Sequence, residues 1–291
     1  MFIERFISYL KFEKRFSPHT VSAYQKDLQQ FSAFLESNEL AFSTVRHQEI
    51  RGFVVDLIDK ECEARSVNRK LSTLRSFYKF LLRERLVSGN PLLQIKSPKI
   101  AKRLPKTIET DKVDFLLNSE DIFASDFEGL RDRLIIELLF GTGMRLAELL
   151  ALKDCDFDKW NQALKVFGKR SKERIVPLNI TLLKVLEKYI IEKVVLFPVA
   201  EMLIVTQQGK PAYPKLIYRV VKKYLTHVST QEKRSPHILR HTFATALLNN
   251  GADLNAIKEL LGHASLAATQ VYTHNSVERL KLIYKQAHPK A

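Results

Sequence analysis

The chain has 291 residues, which corresponds to about two domains of usual size, each large enough to bury a core without disulfides or metals. It carries 47 Lys and Arg against 32 Asp and Glu, a net charge of +15, while 45% of its residues are hydrophobic. This composition excludes a miniprotein and a disordered polycation. It predicts a folded protein that binds a polyanion: nucleic acid first, an anionic membrane second, with a charge kept only for solubility as the third interpretation.

The sequence disfavours a membrane protein and a disulfide-bonded one. It contains no run of about 18 apolar residues, and the start Met1-Phe-Ile-Glu-Arg5 lacks a signal-peptide core. The two cysteines, Cys62 and Cys155, are expected to be buried thiols. We therefore expect a cytoplasmic protein with no membrane partner.

The N-terminal domain, residues 1–88, is predicted to be a bundle of about four helices. Three amphipathic segments cover residues 2–14, 17–35 and 46–60, and the second opens with Ser-Pro, a helix-start signal. The fourth has apolar residues at three- and four-residue spacing: Val67, Leu71, Leu74, Tyr78 and Leu81.

Most of the net charge lies in and just after that fourth helix. Residues 65–106 contain twelve basic residues and one acid, Glu84, so they carry +11 of the +15. A solvated charged face normally interleaves acids for i, i+4 pairing, whereas the like charges of the row Arg75, Lys79, Arg83 repel one another. The row is therefore expected to be neutralised by phosphates. The candidate DNA contacts in this region are Arg65, Arg69, Lys70, Arg75, Lys79 and Arg83.

A basic linker, residues 89–106, is predicted next, because it opens with Gly89-Asn-Pro91 and then shows prolines and bases without periodicity. The second domain, residues 107–291, is mostly of helical period. Its exception is a predicted hairpin, in which residues 163–167 and 174–178 flank a basic turn, after another turn at 156–161. The predicted fold class is therefore mainly α, with a helical N-terminal domain and an α+β second domain that contains a small antiparallel sheet.

Six residues of the second domain stand at helix starts, turn tips or helix stops. Arg145 follows Gly141-Thr-Gly143, Lys169 is at the hairpin tip, and His237 and Arg240 are three apart in one helix, followed by His263 and Tyr272. Taken singly, each has an ordinary interpretation, such as a surface arginine or a core tyrosine. His237 and His241 are spaced like zinc ligands, but no third ligand is indicated, so no metal is expected.

The ordered set resembles the tyrosine recombinase, or phage integrase, family. The resemblance rests on four motifs and extends over practically the whole chain: Gly141-Thr-Gly-Met-Arg-Leu-Ala-Glu-Leu149, the lysine hairpin 168–177, Ser235-Pro-His-Ile-Leu-Arg-His-Thr-Phe-Ala244, and Leu260-Leu-Gly-His263 through Tyr272-Thr-His274. Phe16-Ser-Pro-His-Thr20 and the basic helix look like its SAM-like core-binding domain, and the chain's ending is most similar to the bacterial Xer branch. One departure is Arg170 where the family usually has glycine, which leaves Lys172 as an alternative to Lys169 at the DNA.

The resemblance implies an enzyme that breaks and rejoins DNA through a covalent 3′-phosphotyrosine at Tyr272. Arg145 and Arg240 would neutralise the phosphate, Lys169 would protonate the leaving 5′-oxygen, His237 would exchange the phenol proton, and His263 would donate a hydrogen bond. Side chains would supply the nucleophile, the proton transfers and the positive charge, so the reaction would need no metal or other cofactor.

The resemblance also implies partners. These are double-stranded DNA with paired sites, a homo- or heterotetramer with a paralogous recombinase, and a septal DNA translocase. The apolar stripe Val277, Leu280, Ile283 and Tyr284 would dock into a neighbouring subunit, with packing on its own domain as the alternative. Two cationic domains would close on the duplex as a clamp, and the expected role is resolution of chromosome dimers. Alternatives are an integrase of a mobile element, a type IB topoisomerase, and a DNA-binding protein without catalysis.

Overall fold

The computed structural model describes residues 2–99, 107–119, 121–168, 173–229, 234–262 and 282–288. The chain divides into two compact units, Met1–Arg103 and Leu104–Ala291. The division falls within the basic segment 89–106.

The first unit is helical, as predicted. Its helices are α1 (Phe2–Ser8), which continues as a π-helical turn over Tyr9–Glu13, α2 (Pro18–Ser37), α3 (His47–Asp59) and α4 (Ala64–Arg83). Helix α2 begins where the sequence indicated, because Pro18 occupies its first turn and the Ser17 hydroxyl accepts a hydrogen bond from the Thr20 amide at 3.3 Å.

Helix α4 buries the predicted apolar stripe. Each of Val67, Leu71, Leu74, Tyr78 and Leu81 is at most 1% exposed. Burial of a side chain of this size stabilises the fold by roughly 1.5–3 kcal/mol, so this face of α4 holds the bundle together.

The first part of the predicted linker packs on the first unit. Leu92 and Ile95 are 2% and 7% exposed and belong to that unit's core. The Arg75 guanidinium donates to the Ile95 carbonyl at 2.9 Å, and the Asn68 amide donates to the Pro98 carbonyl at 2.9 Å. Residues 92–98 therefore lie along α4.

The second unit is α+β, as predicted. Its elements are α5 (Thr110–Asn118), α6 (Phe127–Thr142), α7 (Leu146–Ala151), β1 (Phe157–Asp158), β2 (Ala163–Phe167), β3 (Glu173–Pro177), α8 (Ile180–Leu196), α9 (Pro214–Val228), α10 (Pro236–Asn249) and α11 (Leu254–Leu261). The predicted hairpin is present, since β2 pairs antiparallel with β3 and Val166 lies opposite Arg174. The sheet also has a third strand, β1, where the sequence predicted only a turn.

Helix α6 forms the centre of this unit. Every residue from Leu134 to Phe140 is buried, Glu137 included. A helix buried on all sides has no polar face, which explains the nearly continuous apolar run of this segment.

The described part of the C-terminal tail packs on its own unit. Residues 282–287 are helical, and the hydroxyl of the buried Tyr284 donates to the Gly141 carbonyl at 2.7 Å. Ile283 packs beside it, whereas Val277 and Leu280 of the predicted stripe lie outside the described residues.

Two further features bear on the sequence analysis. Within the described ranges, no helix combines the length and apolar character needed to cross a bilayer. The prediction of two buried thiols is wrong, because Cys155 is exposed and Cys62 is half-buried. Both are free thiols. Neither position lies in a periodic apolar face that would have fixed its burial.

Candidate active site

Arg145 lies at the turn between α6 and α7, where the sequence placed it. It is the N-cap of α7, and Glu148 one turn later accepts both its backbone amide, at 2.8 Å, and its Nη1, at 2.7 Å. The side chain is 37% exposed, so its guanidinium reaches solvent while the carboxylate fixes its base.

Gly143 makes the approach to this turn possible. Its φ is +59°, a left-handed conformation that favours glycine. A Cβ at this position would stand 2.4 Å from Cδ1 of Phe243 and 2.8 Å from Cδ2 of Leu261. The glycine therefore lets α10 and α11 pack directly on the turn that carries Arg145.

Arg240 is held on α10 by two backbone carbonyls. It is 9% exposed, and its Nη1 and Nη2 donate to the carbonyls of Gly143 at 2.5 Å and Leu261 at 2.8 Å. Burial lowers its pKa to about 10, and the nearby charge of Arg145 adds to this, while Glu148 opposes it. A pKa about three units above neutrality keeps Arg240 cationic at physiological pH.

The structure adds a third arginine, Arg174, which the sequence analysis did not select. It lies on β3, is 4% exposed, and donates from Nη2 to Glu148 Oε2 at 2.8 Å and from Nε to the Leu260 carbonyl at 2.9 Å. The signal that could have revealed it is strand alternation, because Arg174 shares the buried face with Val176.

The three arginines converge on the C-terminal end of α11. Arg174, Arg240 and Arg145 each donate to one of three consecutive carbonyls, those of Leu260, Leu261 and Gly262. These carbonyls have no partner within their own helix and carry its negative dipole end. The next residue in the chain is His263, so the cluster leads directly to another predicted site residue.

Glu148 is the carboxylate shared by this cluster. Burial would raise its pKa, but the hydrogen bond and charge of Arg174, together with the bonds to Arg145, outweigh burial and hold the pKa below its ordinary value. One carboxylate against three guanidiniums leaves a net positive charge of two. Such a cluster is suited to a phosphate group.

His237 lies in the first turn of α10, three residues before Arg240, and its side chain is exposed. His241 is exposed as well. In the part of the chain that the structure describes, no group of three His, Cys, Asp or Glu side chains is arranged to hold a metal. Lys169, Lys172, His263 and Tyr272 lie outside the described residues.

The predicted DNA contacts on α4 fall into two groups. Arg65 and Lys79 are exposed, and no ion pair joins them to any described residue. Lys70 is 8% exposed and its ammonium contacts Asp27 and Gln30, while Arg69 is exposed but also pairs with Asp27. Asp27, itself 1% exposed, therefore links α2 to α4, and the Lys70 ammonium is engaged in this buried ion pair.

The row Arg75, Lys79, Arg83 is less repulsive than its spacing suggests. Arg75 binds the Ile95 carbonyl, and Arg83 pairs with Glu84 at 3.0 Å and Glu13 at 3.7 Å while its guanidinium lies 4.3 Å from the Tyr9 ring centre. Within this row Lys79 alone is left without an ion pair or carbonyl partner among the described residues.

Comparison with known proteins gives two family matches. Residues 106–279 match the phage integrase family, and residues 3–85 match the phage integrase N-terminal SAM-like domain. The chain is 39% identical to tyrosine recombinase XerC of Chlorobaculum parvum, over 99% of this chain and 94% of that protein. It is 36% identical to tyrosine recombinase XerD of Staphylococcus haemolyticus, over 99% of both.

Solved structures show the same fold. XerH site-specific recombinase bound to palindromic difH substrate, in a post-cleavage complex, is 25% identical with a TM-score of 0.72, over 90% of this chain and 78% of that one. A lambda integrase dimer bound to a COC′ core site is 20% identical with a TM-score of 0.71, over 93% and 98%, a likeness of fold alone.

Proposed function

The chain belongs to the phage integrase family of tyrosine recombinases and is a site-specific DNA recombinase, and we propose that it cuts and rejoins strands through Tyr272 at the arginine cluster. The observation that carries this proposal is the fixed pair Arg145 and Arg240, which donate to the neighbouring carbonyls of Gly262 and Leu261 at the end of α11. Each guanidinium uses two of its five N–H groups in side-chain or carbonyl bonds among the described residues. The others are available for the nonbridging oxygens of a scissile phosphate.

The proposed reaction exchanges one phosphorus–oxygen bond for another and transfers two protons. A tyrosine phenol has a pKa near 10 and is a weak nucleophile at neutral pH. Arg145 and Arg240 stabilise the charge that builds on the phosphorane, and His263 donates a further hydrogen bond. The Tyr272 oxygen bonds to phosphorus as the bond to the 5′-oxygen breaks, His237 takes the phenol proton, and Lys169 gives a proton to the leaving oxygen. Attack by a 5′-hydroxyl of another strand reverses these transfers.

Helix α4 supplies the proposed grip on DNA. Its solvent face, spaced by three or four residues, carries Arg65, Arg69, Lys79 and Arg83 with serines at 72 and 76. The face contains no acid, so it favours the phosphate backbone of a duplex. Lys70 contributes by holding α4 on α2, and Lys172 is kept as a candidate contact from the β2–β3 hairpin.

The cellular role proposed here is resolution of chromosome dimers, by analogy with the Xer relatives. The chain is similar to both XerC and XerD proteins, which supports a tetramer on paired DNA sites, formed with further copies or with a paralogous recombinase. A septal DNA translocase is the proposed activator, and the cytoplasm, where the chromosome lies, is the proposed compartment.

The chemistry is tested with a duplex that carries a nick just 3′ of the cleavage position, so that the short fragment with the released 5′-hydroxyl diffuses away and the adduct is trapped. The site is first recovered from sheared host genomic DNA as fragments covalently attached to the protein. We expect a covalent adduct with the unaltered chain and none with Tyr272→Phe, with unchanged retardation of the DNA. Tyr218→Phe, which alters an exposed tyrosine of α9, is the matched control and should leave the adduct. An adduct from Tyr272→Phe would refute the assignment of the nucleophile.

A further inference from the structure

We propose that Arg174 is a positioning residue of the strand-cleavage reaction, which sets the geometry of the Arg145–Arg240 pair and of the α11 end that leads to His263. The proposal rests on the function proposed above for Arg145 and Arg240. It is carried by one juxtaposition: the Arg174 guanidinium bridges the Glu148 carboxylate and the Leu260 carbonyl, residues far from it in sequence.

The first step runs through Glu148. Its side chain is 4% exposed, and its two oxygens are divided: Oε1 receives Arg145 Nη1 at 2.7 Å, and Oε2 receives Arg174 Nη2 at 2.8 Å and the Arg145 backbone amide at 2.8 Å. A carboxylate fixed at both oxygens cannot rotate. Arg174 therefore fixes the plane of the carboxylate that directs the Arg145 guanidinium.

The second step runs through the end of α11. Arg174 Nε binds the Leu260 carbonyl, and a Cβ on Gly262 would stand only 3.0 Å from Arg174 Nη1. Gly262 has a φ of +64° and closes the helix. The Arg174 guanidinium thus packs against the residue that precedes His263, while Arg240 holds the Leu261 carbonyl beside it.

The third step is the position of Arg174 in the chain. It lies on β3, opposite Val166 of β2, five residues after Lys169. The strand is anchored in the core through Val176, which is fully buried. Arg174 thereby links the strand that follows the lysine hairpin to the two phosphate-binding arginines.

The shape of the guanidinium is what this position requires. Arg174 uses Nε and Nη2 toward two acceptors on different elements. A lysine at this position would keep the charge but present a single ammonium, and would lose the planar fork. Arg174→Lys consequently separates geometry from charge.

The test compares single-turnover cleavage, at saturating DNA, of a nicked duplex with an ordinary scissile phosphate and of one with a methylphosphonate there. The methyl group replaces a nonbridging oxygen and removes its negative charge, so a defect in the arginine pair should matter less. We expect Arg174→Lys to slow cleavage of the phosphate on the order of 100-fold. Its rate defect on the methylphosphonate should be smaller by a factor of about ten or more. Retardation of the DNA should change little.

Two controls separate positioning from general damage. Arg131→Lys alters another buried arginine of the same unit, 2% exposed and paired with Asp132, and its effect should be equal on both substrates. Arg145→Ala should show the same relief as Arg174→Lys. If the Arg145 variant shows no relief, the proposed function of the pair fails; if it does and the Arg174 variant does not, this inference alone fails.

If the Arg174→Lys chain folds poorly, a second variant tests the same role. The double variant Arg174→Met with Glu148→Gln replaces the buried ion pair by neutral groups of similar size, an exchange that buried pairs often tolerate. Glu148→Gln alone is its control, because Glu148 also binds Arg145, and the double variant should show the larger relief on the methylphosphonate. Equal losses on both substrates, or an unchanged rate on the phosphate, would overturn the role of Arg174.

Discussion

The two cationic regions of this protein use the same residue types in opposite environments. On α4 of the first unit, Arg65 and Lys79 extend into solvent. In the second unit, Arg174 and Arg240 are 4% and 9% exposed, and carbonyls and Glu148 hold them in place. Exposed charges are mobile and screened by salt, whereas buried ones are fixed and screened much less. We therefore propose that α4 contributes affinity for DNA and that the buried cluster contributes reaction rate.

The largest effect is expected from Arg240→Lys. A lysine cannot bind the carbonyls of Gly143 and Leu261 and also offer a planar fork to the phosphate. Single-turnover cleavage at saturating DNA should fall by about 10²–10³-fold, as for loss of a preorganised donor, with little change in the dissociation constant. Arg219→Lys, an exposed arginine of α9 bound to the Tyr213 hydroxyl, should behave like the unaltered chain. A drop in affinity as large as the drop in rate would break the comparison.

A smaller effect, on stability, is expected from Gly143→Ala. The new Cβ would meet the Phe243 ring at 2.4 Å in a backbone of φ +59°, which should lower the free energy of unfolding by about 2–4 kcal/mol. Gly89→Ala is the matched control, since nothing lies within 4 Å of a Cβ there. Urea denaturation of both variants measures the difference, and equal midpoints would show that the turn can relax.

The smallest effects are expected on α4, where they should appear in affinity alone. Arg65→Ala with Lys79→Ala should weaken binding and reduce the slope of log K against log salt by about two, because each phosphate contact contributes about 0.9. The rate at saturating DNA should stay the same.

Arg83→Ala removes one cation from the same helix and is the matched control. Its partners Glu13 and Glu84 already offset its charge, so its effect on the slope should be less than half that of the Arg65 and Lys79 double variant. An effect of half or more would mean that the number of cations, rather than their lack of acidic partners, governs binding.

Local patterns in the sequence predicted much of this arrangement. The spacing of Val67 to Leu81 predicted the buried face of α4, and the motif order selected Arg145 and Arg240, which the structure brings together at α11. The role of Arg174 could not be predicted locally, because its acceptors lie 26 and 86 residues away.

Other features were missed for the same physical reason. Glu13 reaches Arg83 only after α1 packs on α4, and Leu92 and Ile95 are buried although no periodicity marks them. Strand β1 has two residues, too few to show alternation. Such long-range contacts are set by tertiary packing.

The most direct test of this division is the salt dependence of the unaltered chain, measured for affinity and for cleavage in the same buffers. Between about 50 and 200 mM salt, the dissociation constant for the site duplex should rise steeply, by a factor set by the number of phosphate contacts. The single-turnover cleavage rate at saturating DNA should remain constant, because buried arginines are little screened. A cleavage rate that falls with salt in parallel with affinity would contradict the account.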